Sequence, residues 1–119
     1  MKVRIKISIV NEAGKGFMGI GLIWLLRRIK EFKSINRAAR DMDLSYAKAL
    51  KILNRLEENL GRKILKRKRG GRERGGADLT PFGERFIEEY DRFQGDIKNY
   101  SEKRFSEFRK KFLKKNKMK

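Results

Sequence analysis

Residues 3–10 alternate apolar and polar positions, with Val3, Ile5, Ile7 and Ile9 on one side. That period predicts a half-buried strand, ended by the turn-forming run from Asn11 to Gly16. From about Gly21 to Lys33 the spacing changes. Leu22, Leu25, Leu26, Ile29 and Phe32 fall on one helical face, Ile23 and Trp24 widen it, and Arg27, Arg28 and Lys30 lie off it. This predicts a central helix. Ser34 suits the N-cap of a second, short helix from Ile35 to about Met42, with Ile35, Ala38 and Ala39 inward. Asp41-Met42-Asp43 interrupts it, and Ser45 caps a third helix. There Leu50, Leu53, Leu56 and Leu60 form the apolar stripe and Gly61 the stop. Two capped helices about a short turn make a helix-turn-helix pattern.

Residues 63–69 alternate weakly, and Gly70 to Gly76 is a basic, glycine-rich hairpin tip. Ala77 to Leu79 is the returning strand. Thr80-Pro81 opens a last helix, with Thr as N-cap and Pro at the first helical position. A helix-turn-helix followed by a basic hairpin is the layout of a winged helix. The fold class expected is therefore mainly α with a small β component: a winged helix-turn-helix followed by a long C-terminal dimerisation helix.

Phe82, Phe86, Tyr90, Phe93, Ile97 and Tyr100 run down that helix at near-heptad spacing. Phe82 and Phe86 suit the helix's own domain, and Tyr90 fits either that domain or an interface. Beyond Tyr90 the helix outruns it, so Tyr90, Phe93, Ile97 and Tyr100 are the expected dimer interface, covered by a second copy. Phe105, Phe108 and Phe112 are out of phase by one residue, which predicts a break or re-aiming near Ser101. The domain reading is residues 1–100 as the winged helix with the start of the dimer helix, and 101–119 as a basic extension whose end frays.

Charge sharpens the picture. The 119 residues carry 33 Lys and Arg against 15 Asp and Glu, a formal net charge of +18. It is not spread evenly. Residues 61–76 hold 8 basic and 1 acidic residue, 101–119 hold 9 and 2, while 77–100 reverse to 3 and 6. Two dense basic blocks point to a polyanionic partner. With no Cys and no His, thiolate or imidazole metal sites, disulfides and Ser–His–Asp triads are excluded, and no cofactor or metal is expected. The longest apolar run, Phe17 to Leu26, is half the roughly 20 residues a membrane helix needs. Arg27-Arg28 follows it in place of a secretory cleavage site. A cytoplasmic protein with no membrane partner is expected.

Ser34-Ile35, Ala38-Ala39, Leu44-Ser45-Tyr46, Ala49 and Asn54, followed by Gly70-Gly71, Gly75-Gly76-Ala77, Leu79-Thr80 and Gly83, resemble the N-terminal domain of the ModE family. These are molybdate-responsive bacterial transcription regulators related in this domain to LysR-type winged helices. The likeness covers roughly residues 3–95. Asp43 stands where the family usually has Gly, which Asp tolerates because it can adopt a left-handed conformation. Leu50 replaces an aromatic, and Arg72-Glu73-Arg74 makes the wing centre more charged. Family regulators continue into a molybdate-binding module that this chain does not reach, so no molybdate response is expected.

The resemblance implies DNA binding, and with the aromatic stripe of the last helix the expected function is sequence-specific binding of double-stranded DNA by a homodimer. In a helix-turn-helix the second helix enters the major groove. The recognition helix, about 45–60, would present Ser45, Tyr46, Ala47, Lys48 and Lys51 to the groove and Arg55 to phosphate. Ser34 and Arg37 would meet the DNA backbone. The wing, about 63–79, would bring Arg69, Arg72 and Arg74 to the minor groove or its phosphates. Two other classes fit the charge: a non-specific nucleic-acid or chromatin-organising protein, and a membrane-surface or protein-interaction module built on Phe105, Phe108 and Phe112. An enzyme fits least, since no nucleophile–base pair is visible.

Overall fold

The computed structural model describes residues 1–68 and 76–113. The elements run β1 (Ile9–Val10), β2 (Gly16–Met18), α1 (Ile20–Phe32), α2 (Ile35–Asp41), α3 (Tyr46–Leu60), β3 (Leu65–Arg67), β4 (Ala77–Leu79) and α4 (Pro81–Phe112). The chain divides into two compact units, Ser8–Glu88 and Met1–Ile7 with Glu89–Lys119.

The unit Ser8–Glu88 is a helix-turn-helix with a two-stranded wing. Leu22, Ile23, Leu25, Leu26 and Ile29 of α1 are buried, and α2 adds Ile35, Ala38 and Ala39. The two alanines let α2 pack between α1 and α3. Two αL residues shape the connections. Lys33 (φ 58°) ends α1, and Asp43 (φ 57°) makes the tight turn between α2 and α3, the conformation expected of it. Ser34 Oγ accepts from the Arg37 N–H at 3.1 Å and Ser45 Oγ from the Lys48 N–H at 3.0 Å, so both expected caps are in place. Gly61, αL at φ 68°, stops α3.

β3 and β4 pair antiparallel in the register Leu65 with Leu79, Lys66 with Asp78 and Arg67 with Ala77. Beside β4, the Ala77 N–H donates to the Lys33 carbonyl at 3.1 Å, and Ser34 bridges Gly76. The wing is thus tied to the joint between α1 and α2. Thr80 opens α4 as predicted: its Oγ1 accepts from the Gly83 N–H at 2.9 Å and donates to the Lys63 carbonyl at 2.8 Å.

Four expectations need correction. The strand predicted over 3–10 is only Ile9–Val10, paired with Gly16–Met18 through an irregular register. Asn11 Oδ1 caps that turn by accepting from the Ala13 and Lys15 N–H groups. Val3, Ile5 and Ile7 lie outside any strand, because alternation supplies an apolar face but no partner for the backbone. Trp24 is 50% exposed instead of joining the core. On α3 the buried set is Ala49, Leu53, Leu56 and Glu57, turned by about one residue from the leucine stripe. Small Ala49 faces the core in place of Leu50.

The fourth concerns α4, which is uninterrupted from Pro81 to Phe112. No break occurs near Ser101. Ile97, Ser101 and Phe105 follow at two steps of four, so an unbroken helix keeps the aromatics near one stripe. Ring centroids of Phe105 and Phe108 lie 6.4 Å apart, and of Phe108 and Phe112 5.2 Å. Phe93, Ile97, Tyr100, Phe108 and Phe112 are exposed, whereas Tyr90 is 4% exposed within one chain. Burial raises the Tyr90 hydroxyl pKa. Tyr90 is therefore already covered, and the uncovered stripe starts at Phe93.

Candidate nucleic-acid interface

The outward face of α3 carries Ala47, Lys48, Lys51, Asn54 and Arg55, all exposed, directly opposite buried Ala49, Leu53 and Leu56. Ser45 and half-buried Tyr46 stand at its leading end. A Ser-capped, fifteen-residue helix closed by an αL glycine holds this face rigid. Among the described residues no carboxylate pairs with Lys48, Lys51 or Arg55. By contrast Arg28 pairs with Asp41, Lys30 with Glu84 and Lys33 with Asp78.

α2 contributes less than expected. Ser34 is 1% exposed and its hydroxyl is committed to capping, so its side chain cannot reach an outside partner. Arg37 is exposed and lies over the Phe32 ring at 4.9 Å. The Arg69, Arg72 and Arg74 assignments fall outside the described residues.

The paired cations serve the scaffold. The Lys33 ammonium bonds Asp78 Oδ2 at 2.7 Å, and that hydrogen bond holds the Asp78 carboxyl below its ordinary pKa. Lys30 donates to Glu84 Oε1 at 2.8 Å, which raises the ammonium pKa. The first contact fastens the end of α1 to β4, and the second fastens α1 to α4.

Three features were missed from the sequence. Glu57, 9% exposed, accepts from the Ile64 and Leu65 N–H groups at 2.9 and 3.0 Å through one carboxylate oxygen. It bolts α3 to the start of β3. An acidic residue beside Leu53 and Leu56 on the inward arc was the available signal. The Arg67 guanidinium donates to Asn54 Oδ1 at 3.0 Å, a contact that only the fold brings together. Arg62 lies 4.3 Å and Arg85 5.8 Å from the Phe82 ring centre.

A family model described as the lysR-family bacterial regulatory helix-turn-helix protein matches residues 22–84. The chain belongs to the lysR family. The matched stretch runs from α1 through the start of α4, taking in the helix-turn-helix and the wing. The resemblance to ModE is borne out as well. This lysR-family chain is 37% identical over 67 residues to the transcriptional regulator ModE of Haemophilus influenzae, covering 56% of this chain and 26% of that protein. It is 36% identical over 69 residues to the ModE dual regulator of Escherichia coli. The molybdenum-pterin-binding protein MopB of Rhodobacter capsulatus is 32% identical over 90 residues, 76% of this chain and 33% of that one. The chain spans about a quarter to a third of the length of these relatives. Among solved structures, a CbnR DNA-binding-domain complex with DNA superposes with a TM-score of 0.59 at 21% identity, over 77% of this chain and all of that one. A BenM DNA-binding-domain complex with catB site 1 DNA gives 0.53 at 19%, over 71% and 85%. At these identities the superpositions establish the fold: a lysR-type winged helix-turn-helix with a long final helix.

Proposed function

We propose that this chain is a transcriptional regulator that binds double-stranded DNA sequence-specifically as a homodimer. The observation that carries the reading is the outward face of α3, a rigid capped helix presenting Lys48, Lys51 and Arg55, none of which pairs with a carboxylate among the described residues, in a lysR-family helix-turn-helix. Ser45, Tyr46, Ala47, Lys48 and Lys51 meet base edges in the major groove, and Arg55 meets phosphate. Arg37 supplies a backbone contact from α2, while Ser34 acts only by capping it. Arg69, Arg72 and Arg74 supply wing contacts that position the protein without reading sequence. The exposed stripe of Phe93, Ile97 and Tyr100 on α4 supports a dimer through that helix. Residues 1–100 form the functional winged-helix portion, and 101–119 a basic extension.

The test compares a duplex selected from a random pool with unselected duplex, for wild type and for the variant carrying Lys48→Ala and Lys51→Ala. Loss of base contacts costs about 1–3 kcal/mol each, so discrimination should collapse while residual binding persists. An equal loss on both duplexes would make the helix merely electrostatic and favour non-specific nucleic-acid binding.

A further inference from the structure

We infer that Arg67 on β3 is a DNA-backbone contact in its own right, held in position by Asn54 of the recognition helix. The inference rests on the DNA-binding reading above and adds a phosphate site on β3, next to the groove-facing helix.

Asn54 sits three residues after Lys51, on the same face of α3, and next to Arg55. Its side-chain oxygen accepts from the Arg67 guanidinium at 3.0 Å. Arginine carries only donors, so the amide must turn its oxygen, not its nitrogen, toward Arg67. The chemistry of this partner is what singles Arg67 out. Arg28, Arg92 and Arg104 are each fastened to a carboxylate, at 2.6, 2.8 and 3.1 Å respectively. Those contacts neutralise the charge they position. A neutral amide orients the guanidinium and leaves its full charge and its remaining donors available.

The backbone beneath Arg67 is fixed from both sides. Glu57 holds the Ile64 and Leu65 N–H groups to α3, and Arg67 pairs with Ala77 across the wing. Successive side chains of a strand alternate, so Lys66 and Lys68 point away from the face Arg67 occupies. An oriented arginine therefore stands against Asn54, on the α3 face that also carries Lys51, at the border of the proposed major-groove surface. A planar guanidinium with spare donors suits two oxygens of one phosphodiester, a geometry a lysine ammonium matches only as a point charge.

The experiment is a salt titration of binding by the full chain to the selected and unselected duplexes, with thermal melting as a folding control. Arg67→Ala should weaken both duplexes about three- to tenfold alike and reduce the log–log salt slope by about 0.9, the signature of one phosphate contact. Arg67→Lys should keep the slope. Asn54→Ala should also keep the slope, weaken binding about two- to fivefold, and have no effect when Arg67 is already Ala. Melting midpoints should stay near wild type, because both side chains are exposed. An Arg67→Ala variant with unchanged slope and affinity would overturn the contact. An Asn54→Ala effect that survives in the Arg67→Ala background would overturn the positioning role. A wild type that binds no duplex would remove the function itself, whereas a binding wild type with an unmoved slope removes only this contact.

Discussion

Gly83, in the first turn of α4, is set so close to the start of the wing that any side chain collides with backbone. A Cβ built there meets the Ile64 carbonyl oxygen at 2.5 Å, Ile64 Cγ2 at 3.1 Å and the Ile64 carbonyl carbon at 3.3 Å. The oxygen cannot simply retreat. It accepts from the Thr80 N–H at 2.8 Å and from Thr80 Oγ1 at 3.2 Å, and Ile64 itself is buried. Overpacking of this kind costs about 1–3 kcal/mol. Alanine returns at most about 1 kcal/mol of helix propensity over glycine, and less in a first turn. The net for Gly83→Ala is a loss of about 1–2 kcal/mol, or on the order of 10 °C in melting temperature for a unit of this size. Gly95 supplies the control. It lies inside the same helix with nothing within 4 Å of the added atom, so Gly95→Ala should stabilise by up to about 1 kcal/mol. Urea and thermal unfolding of the two variants should therefore move in opposite directions. A Gly83→Ala protein as stable as wild type would refute the close packing of α4 on the α3–β3 joint.

Glu57→Ala strands two buried N–H groups and should cost about 3 kcal/mol in urea unfolding, while Glu57→Gln, which retains an acceptor, should cost clearly less; equal losses would show that the hydrogen bonds are not what Glu57 contributes. Phe93→Glu with Ile97→Glu should convert a micromolar dimer to a monomer in sedimentation, and a wild type already monomeric would count against the dimer. Because Lys33 holds the Asp78 carboxyl below its ordinary 3.8, the pair's contribution is complete above that value and is lost as pH falls through the lower folded one. With the carboxylate one-third exposed the effect is under about 1 kcal/mol. Asp78→Asn should weaken the acid dependence of stability below about pH 4 and leave its shape near neutrality unchanged. Identical acid limbs for the two proteins would contradict the pairing.

Much of the fold was legible because short-range chemistry settles it. Ser34, Ser45 and Thr80 each cap the helix assigned to them, and Gly61 stops α3, since these side chains and backbone conformations act within a few residues. The outward face of α3 followed from periodicity alone. What escaped depends on partners far along the chain. Whether Val3, Ile5 and Ile7 join a strand depends on a neighbouring backbone, which the sequence pattern does not supply. Ala49 rather than Leu50 faces inward because α2 packs closely, a tertiary demand invisible to a leucine count. Asn54 with Arg67, and Glu57 with Ile64 and Leu65, join α3 to a strand beyond the turn. Ser34 reads as an outward ligand because capping residues are usually exposed, yet the bridge to Gly76 covers it. On α4, the one-residue phase shift between Tyr100 and Phe105 resembles a break, whereas a helix with 3.6 residues per turn absorbs it with a small drift of the stripe.

Selection of binding sites from a random duplex pool by the wild-type chain tests the central claim most directly. The account predicts enrichment of a motif with two-fold symmetry, its half-sites about one helical turn, roughly 34 Å, apart or a multiple of that. Recovery of an unenriched pool, with single-stranded RNA retained as well as duplex DNA, would contradict sequence-specific regulation and leave a cation that binds any polyanion.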